Sequence, residues 1–594
     1  MKSPRSSAAP PRKDPGDPRL GMFFLWLLVL VPPFVLAPVA AESFRQPKLL
    51  ASEWLALASL ACLAWGLRRA GTVRLAEVWR LPALRLILPL LLVATAGLAF
   101  TRHPFHARDA LIDLWIGAAA LVGWSAGVPR PRLRKLILGF LAPATALAAV
   151  GILQFHDLWQ PLQFFGMAPA TRLAVTSFAG NPGDLAAFLV LPALIAQESL
   201  RRRWREREAR TAVWGTALAL AACVYAIFLT QTLAAVAALI AGSVLLWLSR
   251  LPRRLAPALV GGSLLAAALL VLAVPPLCER VAVKLHQAAA GDWNFVLTGR
   301  LDGWRAAAWM LERHPLTGVG PGGYLPEFVP AKLALLDRGV AFHPDLTLSV
   351  FSNAHDEFLT AGAEWGLPGL LAIAWGLWVL LGALRRLEPQ ERVPAVAGLA
   401  GLLVLSVFDF PFRLALVGYP ALLFLAWILH PPAEGGEEDR RGGLPAAPVA
   451  AALTVLLVLA LIAQTVRWRD VAVASRLLGT VKALSLAMSS SGQAPPQIVA
   501  ENLVALRRAR PLDPVEVGIP VARGGQYLFF LHRPEEAAEA YREALDLEPH
   551  PEAYMGLGKA LWMAGRREEA RPSLDRAVRL SPYLARELPA AGAP

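Results

Sequence analysis

"FSNAHDEFLTAGAEWGLPGLLAIAWGLWVLLGALRR", residues 351–386, sets three ionisable residues, His355, Asp356 and Glu357, directly before a long apolar run. A hydrocarbon core about 30 Å thick needs roughly 20 apolar residues per helix. The run at 359–384 meets that length and reads as a membrane span. Twelve more runs of this kind lie near 22–41, 49–67, 81–100, 109–127, 136–154, 183–198, 211–230, 232–248, 255–277, 394–410, 414–430 and 446–466.

The whole composition agrees with that reading. Of 594 residues 56% are hydrophobic and 17% charged, and the mean hydropathy is +0.48, values that place the chain among membrane proteins. Cys62 and Cys223 sit inside apolar runs and Cys278 at a span end, so neither a disulfide framework nor a paired-cysteine zinc spacing is present. A net charge of +14 would suit nucleic acid if it were gathered on one domain. It is instead dispersed in short clusters between apolar segments, where it acts as a topology signal. With the N-terminus in the cytoplasm, twenty-seven basic residues fall in inside segments and six in the short outside loops: Arg45, Lys48, Arg102, Arg108, Arg172 and Arg413. The first run, with small residues "APVAAES" at its end, also fits a cleaved leader. Its length and Pro32, Pro33 and Pro38 favour a retained span.

The expected fold is therefore all-α: a polytopic helical membrane protein of about 12–13 transmembrane helices. A basic cytoplasmic segment, 1–21, precedes a membrane domain over 22–466, and a helical tail follows over 467–594. By parity the large loop 278–358 and the tail lie outside. The tail aligns with itself at an offset of 33, placing Ala537 on Ala570, Ala544 on Ala577, Leu547 on Leu580 and Pro549 on Pro582. That period, with small residues where helices meet and proline after the second helix, resembles tetratricopeptide repeats over about 515–582. Such a module can dock a protein partner.

The large loop opens with "LTGRLDGWRAAAWMLERHPLTGVGPGGYLPEF", residues 297–328. Trp304, Ala308, Met310 and Leu311 fit one face of a helix that ends before Pro315. Gly318, Gly320 and Gly323 match the spacing of a dinucleotide-binding fingerprint, but no strand precedes them and no parallel sheet is available. Tight turns near the membrane surface are the better reading of these glycines. At the loop's end Glu357 and Glu364 fall in the early turns of a helix, where acidic residues are favourable. One histidine beside two carboxylates makes a poor metal site, so neither metal nor cofactor is expected.

"GRxxxW…HPLxGVGPGGY" at one end of the loop and "HDEFLxxxxEWGLPGLL" at the other, with "RLAVTSFAGNPGDLAAFLVLPALI" at 172–195 and "SVFDFPFRLALVGYPALLFLAW" at 406–427, resemble the O-antigen ligase and polymerase superfamily over roughly residues 20–430. The resemblance implies a glycosyltransferase of the bacterial inner membrane that moves a glycan from a polyprenyl diphosphate carrier to a hydroxyl acceptor, lipid A core first among them. It implies that Arg300 holds the donor's diphosphate and that His355 activates the acceptor hydroxyl, with Asp356 or Glu357 orienting it. Guanidinium forks match phosphate oxygens, and a near-neutral imidazole can take a proton from a sugar hydroxyl. The family usually carries a further Arg between the seventh and eighth spans; here "LTQTLAAV" places Leu233 there. Arg172, Arg305 and Arg413 are the candidates to compensate. A polymerase, a protein O-oligosaccharyltransferase or a non-catalytic scaffold or transporter of envelope polysaccharide are the alternatives, the last supported by Leu233. The few charges in the spans, Glu53, Arg85, Asp109, Asp113 and Asp409, disfavour an ion-coupled transporter.

Overall fold

The computed structural model describes residues 19–38, 40–69, 72–73, 75–161, 171–250, 252, 254, 256–273, 275–342, 350–432 and 444–589. The basic leader 1–18 and Arg74, Arg253, Arg440 and Arg441, all counted above as inside charges, lie outside the described residues. Among the described residues the fold is all-α apart from one two-residue antiparallel pairing, Thr72–Val73 with Leu444–Pro445.

Eight helices are long and apolar enough to cross a membrane, and Arg19–Phe34, Pro82–Gly97, Leu233–Leu248 and Ala415–Ile428 are shorter apolar ones. Ala256–Ala273 stands where the ninth span is expected. Local chemistry moves two expected boundaries. The first run stays helical only over Arg19–Leu30 and tightens into a 3-10 turn at Pro32–Phe34, because consecutive prolines remove donors and disfavour α geometry at the residue before them. The last run, expected to end at 466, continues unbroken as Ala446–Ser491. Its 46 residues reach about 69 Å at 1.5 Å per residue, and Gly492 in a left-handed conformation (φ 68°) ends it.

Small residues let the spans approach closely, as lipid-embedded helices require. A Cβ at Gly242 would sit 2.9 Å from the carbonyl of Ala397, so Leu233–Leu248 and Pro389–Phe408 touch backbone to backbone. Trp124 is fully buried at the centre, and its indole N–H donates to Ser59 at 3.0 Å.

The turns assigned outside gather on one face: Phe34 packs edge-on against Phe178 at 5.7 Å, Arg45 pairs with Asp184, and His355 faces Asp409. The turns assigned inside meet elsewhere, as Arg130 does with Glu391 at 3.1 Å. The tail returns to the first face. Its helices Pro534–Leu547, Pro551–Met563 and Arg567–Leu580 bury Ala537, Ala544, Ala570 and Ala577, the residues matched by the 33-residue offset. Leu580 leaves the tail's own core and joins that of the large loop, with Ala306, Met310, Tyr324 and Phe328. Beside it the buried Lys332 ammonium donates to the Leu580 carbonyl at 2.9 Å, and Arg579 pairs with Asp337.

Candidate functional site

"SNAHD" is folded by its own side chains. The Asn353 amide oxygen accepts from the His355 N–H at 2.9 Å, the Ala354 N–H donates to Thr360 Oγ1 at 3.1 Å, and Asp356 caps helix Glu357–Arg386 by accepting from the Leu359 N–H at 2.8 Å. Between these anchors His355 takes φ 51°, a left-handed conformation that a non-glycine residue holds only when its surroundings fix it. The imidazole is wedged edge-on between Phe351, centroids 5.7 Å apart, and Phe410, 5.0 Å apart. Nδ1 is buried without a hydrogen-bond partner among the described residues, with Asp409 Oδ1 3.9 Å away. The side chain is still 26% exposed, so the open part of the ring is the part away from Nδ1.

The two acidic neighbours of His355 are engaged elsewhere. Asp356 serves the helix cap, and Glu357 accepts from the Phe412 N–H at 2.9 Å. Arg413 lies between Glu364, at 2.8 Å, and Glu357, at 3.5 Å, so two carboxylates already balance its charge. Arg305 donates to the Ala341 carbonyl at 2.8 Å and stands 3.7 Å from Asp302; it ties the loop together away from His355.

Arg300 and Arg172 have different surroundings. Arg300 opens helix Arg300–Arg313 after two left-handed residues, Thr298 (φ 58°) and Gly299 (φ 79°). Among the described residues its guanidinium makes one long hydrogen bond, 3.4 Å, to the Leu297 carbonyl, and its Nε is buried without a partner. Arg172 Nε is likewise buried and unpartnered. Burial, and next the neighbouring Arg300, lower the pKa of Arg172, while burial lowers that of Arg300 against the pull of Asp409. The two cations, Asp409 and His355 thus share one electrostatic neighbourhood. Arg45, bidentate on Asp184 at 2.7 and 2.8 Å, lies over the Phe410 ring at 5.4 Å and steadies the wall beside His355. Leu233 begins its helix partly exposed and offers no charge.

The glycine-rich turn after the loop helix holds the site to the membrane domain. Helix Glu357–Arg386 breaks at Gly366 (φ 64°, ψ −163°). Unbroken, it would pair the Ala363 carbonyl with the Leu367 N–H and the Glu364 carbonyl with residue 368, a proline without a donor. Instead Val319 donates to Ala363 at 2.9 Å, Gly320 to Glu364 at 3.0 Å, and Leu367 to Pro315 at 2.7 Å. These three groups freed by the break thus each find a partner in the turn, as buried backbone requires. Gly318, Gly320 and Gly322 adopt positive φ; Gly323 does not, and it sits at the start of helix Tyr324–Asp337.

From sequence, Arg45 counts as a topology signal and Asp409 as a charge in a span, neither with a place in the site, and two cations early in the loop, Arg280 and Lys284, are not singled out. A carboxylate ending an apolar span beside "FPFR", and basic residues straight after a span on the side expected to be poor in positive charge, were the available signals.

Residues 218–374 match the family model described as O-Antigen ligase, and residues 523–585 match that of the tetratricopeptide repeat. The first match takes in Arg300, the glycine-rich turn, His355 and the break at Gly366. No curated protein matches the chain.

Proposed function

We propose that the chain, an O-antigen ligase-like membrane protein with C-terminal tetratricopeptide repeats, transfers a preassembled glycan from a polyprenyl diphosphate carrier to a hydroxyl of lipid A core outside the bacterial inner membrane. The observation that carries this reading is the pairing of a histidine whose buried Nδ1 faces a carboxylate with guanidinium groups that, among the described residues, form no ion pair. With its proton on Nδ1, towards Asp409, His355 presents Nε2 as an acceptor. The acceptor hydroxyl attacks the anomeric carbon, Nε2 takes its proton, and the bond from that carbon to the carrier's diphosphate oxygen breaks. Arg300 and Arg172 stabilise the negative charge that gathers on the leaving diphosphate. Attack opposite the leaving group inverts the anomeric centre, and fixed guanidinium charge supports transfer with EDTA present. The large loop and the tail are periplasmic in this reading, as the distribution of basic residues supports. Arg305, Arg413, Asp356 and Glu357 hold the scaffold.

The test is transfer by purified protein from a carrier-linked glycan to lipid A core in EDTA. His355→Ala and Arg300→Ala should each reduce the rate at least a hundredfold at unchanged protein level, and Asp409→Asn should lower it while sparing donor binding. Wild-type glycan display in both alanine variants overturns the assignment. Transfer to a second carrier-linked glycan or to protein instead of lipid A core replaces the acceptor, and no transfer to any acceptor favours the scaffold.

A further inference from the structure

Helix Pro275–Ala289 follows the ninth span into the large loop and carries Arg280 and Lys284 one turn apart, hence on one face. The two side chains differ in what they touch. Lys284, only 9% exposed, donates to the carbonyls of Phe295, at 3.2 Å, and Val296, and to Thr298 Oγ1 at 3.0 Å. An ammonium has three donors, so Lys284 is fully engaged in pinning the turn that leads through Gly299 to Arg300. Arg280 has a buried, unpartnered Nε, as Arg172 and Arg300 do. Among the described residues none of these three guanidinium groups has a carboxylate within ion-pair distance.

Unneutralised cations gathered at a partly buried place repel one another, and each loses hydration. The repulsion is visible in Arg280, lowered to about 10 by burial and then by Arg172 and Arg300. A protein that needed these residues only for packing would pair them, as this one pairs Arg413. We infer that Arg280 completes, with Arg172 and Arg300, a three-guanidinium subsite for the diphosphate of a lipid-linked donor, and that Lys284 is the positioning residue that sets the turn before Arg300. This rests on the transferase reading and specifies its donor site. It also accounts for Leu233: the cation missing from the turn before the eighth span is supplied just after the ninth.

Binding can be measured without chemistry, using full-length protein in detergent with farnesyl diphosphate, farnesyl monophosphate and inorganic pyrophosphate. The wild type should bind the diphosphate about tenfold more tightly than the monophosphate. Arg280→Gln should weaken diphosphate binding about tenfold, the loss of one charge-assisted contact; Arg280→Lys should retain part of it, and exposed Arg102→Gln should change nothing. Lys284→Met should weaken binding in the wild type but add no loss to Arg300→Gln, a non-additivity that a general loss of stability would not produce. Equal diphosphate affinity in wild type and Arg280→Gln overturns the subsite, even if transfer proceeds. Binding that tracks Arg280 while no acceptor is ever glycosylated leaves the subsite standing and removes the transferase reading.

Discussion

Lys284 turns the electrostatics of the loop into a measurable pH dependence. Burial, then Arg280, Arg300 and Arg172, push its ammonium down to about 8, from about 10.4 in an unfolded chain. The groups facing it are those three guanidinium groups, two backbone carbonyls and the Thr298 hydroxyl, none of them a carboxylate. Between pH 8 and 10 the unfolded chain keeps a proton that the native state has released, so stability rises with pH there. The ligand-free melting temperature should climb from pH 7.5 to 9.5 in the wild type and climb less in Lys284→Met; equal slopes sink the claim. His355 and Arg300 could be picked out from the chain because each lies in a quotable motif. Asp409 could not, because residues 356–408, which separate it from His355, include two spans, and only their packing brings the pair to 3.9 Å.

At the scale of elements, the break at Gly366 joins the two ends of the large loop. A Cβ there would lie 2.6 Å from the Pro315 carbonyl, on a backbone with φ +64°. Clash and left-handed strain act together, so Gly366→Ala should destabilise the protein by about 2–4 kcal/mol and lower glycan display although it touches no proposed catalytic group. Gly382→Ala, with nothing within 4 Å, should be near neutral; equal melting temperatures for the two variants refute the interlock. Hydropathy locates spans because twenty apolar residues have few other uses, but it does not place a break at "EWGLPG", since Gly and Pro also occur inside continuous transmembrane helices. The loop helix was legible and its buried face only partly: Met310 is buried as expected, whereas Ala308 is exposed and Ala306 and Ala307 are covered. The partner that decides this face is folded from distant sequence, including the tail.

Across the whole molecule, the tail contributes to the loop through contacts of unequal weight. Arg579 and Asp337 are 37% and 65% exposed, and a surface ion pair is worth at most about 1 kcal/mol. The buried bond from Lys332 to the Leu580 carbonyl and the burial of Leu580 itself matter more, since an orphaned buried polar group costs about 1–3 kcal/mol. Lys332→Met should therefore make the loop protease-sensitive in otherwise intact protein, whereas Arg579→Ala should not. A chain ending before Gly518 should lose both loop protection and glycan display. Retained display in that truncation would show that the repeats serve only an outside partner. The repeats themselves were legible from their period; that they close over the loop was not, because Lys332 and Leu580 are 248 residues apart.

The place of Leu580 in the loop's core also fixes an order of assembly. Residues 300–354 leave the ribosome long before residue 580 is made, and the five tail helices from Pro496 to Leu580 come after the long Ala446–Ser491 helix in the chain. Until then the half-built loop exposes an apolar face. A chain that stalls or is nicked late in synthesis is thus left with an unfinished core around the large loop, and the arrival of Leu580 becomes the step that closes it.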